Sequence, residues 1–290
     1  MHEFSLDFLR CVRCGSKLEL EIFKNGTEIE EGFLTCIKCR LCFPIIKKIP
    51  ILWDDLSKYL SDRIALGGKL FHFASHEKMK KFLKHSLLNS NRSTDDRTTL
   101  EERWSKIYQN SKKSKFYSII KNELSVLPAS KLVLEYGCSI GTMSRFLANY
   151  SQNVFGIDRS FSAISVAKKT QKDNLDYFVA DLTSDVFGKT KFDLILALNV
   201  LELVEPKDLL KYIFQQIPKG HLVISDPYDF DRGKNSVKKP LDELTLRTSL
   251  EELGFTISVK TKKPSYLTWN LKLNPRSTLN YKVDLIIAKK

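Results

Sequence analysis

At 290 residues, with 42% hydrophobic and 28% charged residues, the chain has an ordinary globular composition and enough core for one large domain or two modest ones. No apolar run approaches the roughly 20 residues of a membrane span. Met1-His2-Glu3-Phe4-Ser5 lacks the basic-then-apolar order of a secretory signal, so a cytoplasmic protein without membrane contact is expected.

The formal charge of +13 admits a nucleic-acid partner. The lysines, however, are dispersed in pairs such as Lys47-Lys48, Lys112-Lys113 and Lys238-Lys239, as on a solvated surface, and no compact arginine-and-aromatic cluster stands out.

Five of the six cysteines fall between Cys11 and Cys42. Cys11-x-x-Cys14 and Cys36-x-x-Cys39 form two knuckles separated by 21 residues. Tetrahedral zinc takes four thiolates, and each C-x-x-C turn supplies two from adjacent backbone positions. Disulfides are disfavoured in a reducing compartment, and a redox C-x-x-C leaves the second pair unexplained. A structural zinc on Cys11, Cys14, Cys36 and Cys39 is therefore expected, with Cys42 a small buried residue. The alternating Leu18–Ile22 and the return Gly32–Thr35, joined around Lys24-Asn25-Gly26, read as a hairpin between the knuckles.

Cys36-x-x-Cys39, then Phe43-Pro44-Ile45 and Ile49-Pro50-Ile51-Leu52, resembles the small zinc-binding domain of the Trm112 family. Phe43 replaces the usual Tyr, and Lys48 stands where Gly is expected. The resemblance implies a domain at residues 1–53 of the kind that activates or stabilises methyltransferases, here fused to its partner.

Residues 54–114 read as a helical connector. Leu56, Leu60 and Ile64 share a helical spacing, as do Met79, Phe82 and Leu83. Asn89 to Thr94 reads as a loop, and Thr98 or Thr99 as the cap of a helix carrying Trp104, Ile107 and Tyr108. His72 and His76, four apart, share a helix face in this reading but lack a third metal ligand. A further helix runs from about Phe116 to Leu127.

From Lys131 onward strands and helices alternate, which implies a parallel sheet covered on both faces by helices. Expected strands are 131–136, 153–158, 176–181, 192–199, 221–226, 255–260 and 281–288. Expected helices are 142–150, 161–169, one starting at Pro206, and 241–253 stopped by Gly254. Ligands of such sheets bind beyond the carboxyl ends of the strands. Asp158, Asp181 and Asn199 end successive strands there, and an acidic side chain at Asp158 suits a ribose.

The first strand stops at Glu135-Tyr136-Gly137-Cys138-Ser139-Ile140-Gly141. This Glu-x-Gly-x-x-x-Gly spacing differs from the dinucleotide fingerprint and resembles motif I of class I S-adenosylmethionine (SAM)-dependent methyltransferases. The resemblance covers about residues 115–290 and implies a doubly wound Rossmann-like α/β fold. It implies that Glu135, Gly137, Cys138 and Gly141 surround the methionine part of SAM, Asp158 the ribose, and Asp181 and Leu182 the adenine. Asn199 with Val200 would form the wall beside the methyl, and Tyr108 or Tyr117 would reach the cofactor carboxylate. Ser139 departs from the Gly of many members; a negative φ would accommodate it.

Methyl transfer is an in-line displacement that depends on alignment, and some acceptors also need a proton removed. Asp226 and Asp229 are the candidate proton acceptors, with Tyr228 to orient the acceptor, although Asp226-Pro227 also suits a simple turn. Trp269 to Arg276 reads as a loop able to clamp an aromatic or acidic acceptor. Asn199-Val200-Leu201-Glu202 lacks the Asn-Pro-Pro-Tyr signature of amide and exocyclic amino nitrogen methylation. Three readings follow: a methyltransferase acting on a small molecule, one acting on RNA or protein through the basic surface and zinc domain, or a binding protein that has lost catalysis.

Overall fold

A computed structural model describes residues 1–91, 93, 95–170, 172–231 and 236–290. Strands β1 (Leu18–Asn25), β2 (Ile29–Cys36), β3 (Cys42–Ile46) and β4 (Ile49–Leu52) come first. Helices α1 (Leu56–Ser61), α2 (Ile64–Phe73), α3 (Glu77–Leu88), α4 (Arg97–Ser111) and α5 (Lys115–Ser125) follow. The alternating part contains β5 (Leu132–Tyr136), α6 (Thr142–Leu147), β6 (Asn153–Asp158), α7 (Phe161–Ala167), β7 (Leu175–Ala180) and β8 (Leu194–Leu198). It continues with α8 (Pro206–Gln216), β9 (His221–Asp226) and α9 (Glu243–Glu252), then β10 (Thr256–Ile257), β11 (Tyr266–Asn274) and β12 (Ser277–Lys289). The chain forms two compact units, Met1–Lys106 with Asp158–Gly188, and Ile107–Ile157 with Lys189–Lys290.

In the first unit, β1 to β4 form an antiparallel meander, with Leu18 opposite Cys36 and Ile46 opposite Ile49. The meander then acquires a strand from far along the chain. β4 pairs in parallel with β7, Ile51 opposite Val179 and Leu52 opposite Ala180. All four residues of β4 and all six of β7 are buried, which suits their apolar runs.

A buried ion cluster joins the same segments. Lys168 bonds Glu28 and, at 2.5 Å, Asp176; the Met1 amine lies 3.3 Å from Glu28, and Ser5 Oγ donates to Asp176 at 2.7 Å. Burial alone would raise the Asp176 carboxyl, but the Lys168 ammonium and the Met1 amine hold it down to about 2.

Several expectations about the connector change. Arg63 breaks the Leu56–Ile64 pattern into α1 and α2, its guanidinium buried on Glu101 at 2.7 Å. Asp96, not Thr98 or Thr99, occupies the start of α4, where it accepts the Thr98 amide at 2.8 Å. His72 and His76 do not share a helix face. α2 ends at Phe73, and His76 caps α3 with its ring stacked on Phe23 at 3.9 Å. Of the loop expected at Asn89 to Thr94, Arg92 and Thr94 lie outside the described residues.

In the second unit, β6, β5, β8 and β9 run parallel in that order. The expectation of a parallel sheet fails at the C-terminal end, where β12 lies antiparallel to β9 and carries β10 and β11 antiparallel in turn. The strand expected over 255–260 is only Thr256–Ile257, followed by a 3-10 turn at Val259–Thr261. The supposed loop at Trp269 to Arg276 is mostly β11, in hairpin with β12 and turning at Pro275-Arg276. Its Trp269 and Leu271 alternate inward among polar residues, a period-2 signal diluted by Asn and Lys. Trp269 is 6% exposed, stacked on Tyr108 and packed against Phe116 and Tyr281, so it is core and not an exposed clamp.

Removing the buried lysine from the ion cluster leaves Glu28 and Asp176 with only the Met1 amine and, 3.8 Å from Glu28, Lys48. Lys168→Met is expected to lower stability by about 3–5 kcal/mol in urea unfolding at pH 7. The wild-type advantage should be complete above the ordinary carboxylate range and vanish as pH falls toward 2.

Candidate cofactor site and cysteine cluster

In the first unit, Cys11, Cys14, Cys36 and Cys39 converge, with all four Sγ atoms within 4.8 Å of one another. Both knuckles fold alike. Gly15 returns its amide to Cys11 O and Arg40 to Cys36 O, and both take left-handed backbone, φ +69 and +59. The Cys39 amide also points at Cys36 Sγ, 3.4 Å away. Sulfur separations of 3.5 Å (Cys11–Cys39), 3.4 Å (Cys14–Cys36) and 3.7 Å (Cys14–Cys39) approach the edge of about 3.8 Å that a tetrahedron with zinc–sulfur bonds of about 2.3 Å requires. The donor set fits tetrathiolate zinc. Hydrogen bonds from Ser16 bring the Cys14 thiol down to about 6, whereas burial raises Cys11 to about 12. Cys42, expected to be buried, is half-buried beside Thr35.

In the second unit, the penultimate residue of β5 is the buried Glu135, whose carboxylate accepts the Ser144 hydroxyl from α6. Gly137 follows at φ +65, and a Cβ there would lie 2.3 Å from Val200 Cγ1, so only glycine fits. The turn is anchored to β6 by Cys138 N to Ile157 O at 3.0 Å and closed by Gly141 N to Cys138 O at 2.8 Å, with Gly141 at φ +71 opening α6. Ser139 takes φ +48, so the negative φ that would accommodate a serine here is not found and it sits in left-handed backbone. Burial first, and then the Glu135 charge, raise the Tyr117 hydroxyl, which marks Tyr117 as a neighbour of that carboxylate; Tyr108 instead stacks on Trp269.

Beyond β8, Asn199 adopts φ +55, with its amide on Ser225 O at 2.7 Å and its Oδ1 accepting Ser225 Oγ at 2.8 Å. Asp226 is fully buried at the end of β9 and accepts the Leu201 amide at 3.2 Å and the Tyr228 amide at 2.7 Å. Tyr228 donates its hydroxyl to Asp284 at 2.8 Å, and Asp284 is gripped by Arg247 at 2.6 and 3.0 Å. Asp226 and Tyr228 thus brace loops. Asp229, half-buried, accepts Tyr281 Oη at 3.3 Å.

Asp158 and Asp181 belong to the first unit. Asp158 receives the Ser160 amide at 2.8 Å, and Ser160 caps α7. Asp181 receives the Thr183 amide and hydroxyl at 2.9 and 2.6 Å, beside buried Leu182. Each carboxylate is half-buried and closes a short turn.

A family profile described as a methyltransferase domain matches residues 133–218, and one described as Trm112p-like protein matches residues 3–47. The chain joins a methyltransferase domain to a Trm112-like domain. A mitochondrial ubiquinone biosynthesis O-methyltransferase of Schizosaccharomyces pombe is 32% identical over 105 residues, 33% of this chain and 38% of the relative. The Coxiella burnetii counterpart is 33% identical over 108 residues, 36% of this chain and 46% of the relative. The chain therefore spans less than half the length of these curated relatives.

Among solved structures, a chain from the complex of the Haloferax volcanii Trm112 methyltransferase activator aligns at TM-score 0.53 and 15% identity, covering 68% of this chain and 97% of that one. Magnesium protoporphyrin IX methyltransferase of Synechocystis PCC 6803 with bound SAH aligns at TM-score 0.50 and 18% identity, covering 67% of this chain and 95% of that one. These likenesses concern the fold.

Sequence reasoning missed Ser144 and Ser225 as supports of the methyltransferase domain's loops, and it placed Val200 beside the methyl without seeing that it packs on Gly137. Gly137→Ala should destabilise the domain by about 1–3 kcal/mol through overpacking against Val200, read by thermal or urea unfolding. Cys36→Ser should lower bound zinc below one equivalent in elemental analysis.

Proposed function

We propose that this chain is a SAM-dependent methyltransferase acting on a small-molecule acceptor, with a structural zinc in its Trm112-like domain. The observation that carries the reading is the glycine-bounded Gly137–Gly141 turn after β5, packed on Val200 inside the matched methyltransferase region. A turn of this kind between strand and helix brings backbone amides within reach of a ligand. Residues 1–53, 54–114 and 115–290 are taken as zinc domain, connector and catalytic domain. The cytoplasm is the proposed location; no helix among the described residues is long and apolar enough to cross a membrane.

Within this reading Glu135, Gly137, Cys138 and Gly141 hold the methionine part, Asp158 accepts the ribose hydroxyls, and Asp181 with Leu182 contacts the adenine. Asn199 lines the methyl side. SAM supplies an electrophilic methyl on a sulfonium, so the protein's task is alignment. Asp229 is the proposed proton acceptor for a hydroxyl acceptor, because its carboxylate already takes a hydroxyl hydrogen bond from Tyr281 while Asp226 is committed to backbone amides. The likeness to two O-methyltransferases of small-molecule biosynthesis supports an oxygen acceptor. The Trm112-like domain and the +13 charge support a second reading, in which RNA or protein is methylated.

Calorimetry of zinc-loaded protein should detect SAM binding, and Asp158→Ala should weaken it about 10- to 100-fold, the equivalent of losing hydrogen bonds to a charged group. Absence of binding by the folded wild type refutes both enzymatic readings. Salt-dependent RNA binding would favour the second over the first.

A further inference from the structure

The β3–β4 hairpin turns on two residues, Lys47 and Lys48, between the paired Ile46 and Ile49. A two-residue hairpin of this kind needs left-handed backbone at both positions, and the lysines take φ +53 and +70. Asparagine and glycine adopt that backbone at least cost, whereas lysine is strained there. The neighbouring backbone enforces it. The Lys48 amide donates to Glu30 O at 3.0 Å, and Lys48 O accepts the Met1 amine at 2.6 Å. Lysine at both positions breaks the residue preference of this turn, and departures of this kind concentrate at functional sites.

Both side chains line a recess of about 280 Å³ in the first unit, together with Lys24, Phe73 and Ser75. The carboxylates of the recess are already engaged. Glu30 pairs with Lys24 at 2.7 Å, and Glu31, 4% exposed, accepts the Ser75 and His76 amides at 3.0 Å each. Lys48 lies 3.8 Å from the buried Glu28. Lys47 forms no ion pair among the described residues; its ammonium sits 4.9 Å from the centre of the Phe73 ring. Phe73 is 40% exposed, so an unmatched cation and an open aromatic side chain border the same recess.

The charge of the surroundings limits the occupant. The first unit holds 23 lysines and arginines against 20 aspartates and glutamates, so most of the +13 excess belongs to the second unit. A small ligand therefore suits this recess better than a nucleic-acid strand, whose binding rests on many neutralised phosphates. Two ammonium groups on adjacent residues match a compact dianion, and the Phe73 ring matches a planar body. We propose that the recess is a binding site for a small aromatic phosphate monoester, with the phosphate on Lys47 and Lys48 and the aromatic ring on Phe73. The recess shares no residue with the candidate cofactor site, so its occupancy does not depend on the methyltransferase reading.

Uridine 5′-monophosphate, phenyl phosphate and inorganic phosphate are titrated into the zinc-loaded full chain by nuclear magnetic resonance. Saturable binding of the nucleotide or of phenyl phosphate is expected in the micromolar to low-millimolar range, tighter than that of inorganic phosphate. Preference for the nucleotide assigns the site to nucleotides, and preference for phenyl phosphate assigns it to simpler aryl phosphates. No saturation by either up to about 10 mM overturns the proposal, and equal affinity for inorganic phosphate overturns its aromatic half.

Lys47→Asn separates binding from folding. Asparagine suits the left-handed turn, so the thermal midpoint should hold or rise while affinity falls about 10-fold or more. Lys47→Arg, equally strained but still charged, should retain affinity. Wild-type affinity in Lys47→Asn overturns the site. Should Lys47→Asn lose stability, Phe73→Leu supplies the reading: weaker binding of the aromatic phosphates with inorganic phosphate unchanged is expected, and unchanged binding of all three overturns the proposal.

Discussion

Three parallel strands of the second unit, β5, β8 and β9, leave the sheet through left-handed backbone. After β5 the turn uses Gly137, Ser139 and Gly141; after β8 it uses Asn199; after β9 it uses Tyr228. Glycine adopts this backbone freely, whereas the other three residue types need external support. That support is visible for two of them. Ser225 clamps Asn199 through its backbone and its hydroxyl, and Asp226 clamps the Tyr228 amide. The chemistry proposed for this chain sits where the backbone is least free to relax, so its geometry depends on residues that never meet a ligand.

The first unit is governed by a different constraint. Glu28, Lys168 and Asp176 are too deeply buried for water to solvate, and each is tolerable only because the others are present. Their bonds tie the residue before β2 to the C-cap of α7 and to β7, and the parallel pairing of β4 with β7 joins the meander to β7 through the backbone as well. The zinc knuckles organise one end of this unit through spacing alone, and the ion cluster organises it through charge.

What the sequence disclosed follows from how local each signal is. The C-x-x-C knuckles were legible because both ligands of each pair lie within four residues, and the strand-turn-helix at Glu135–Gly141 because its glycines mark positive φ directly. Asp158, Asp181 and Asn199 stood out because strand ends can be counted along an alternating pattern. The hairpin of β11 and β12 was misread because Asn270, Lys272 and Asn274, on the exposed face of β11, are residues typical of loops. The φ of Ser139 was not legible because a serine carries no sign of the backbone imposed on it. The β4–β7 pairing joins residues distant in sequence, and no local period announces it.

The pairing of β4 with β7 also constrains the order of events during synthesis. Lys168 lies 140 positions beyond its partner Glu28, so the N-terminal meander emerges from the ribosome long before its last strand and its counter-ion. Until residues near Ala180 are available, β4 presents an unpaired edge, and Glu28 has neither the lysine nor a solvated alternative in the finished core. Long-range closures of this kind are slow because the intervening chain must be ordered before any contact rewards it. The zinc knuckles, complete once Cys39 has emerged, are the part of this unit that can mature first, and metal loading is then an early step that precedes closure of the unit around it.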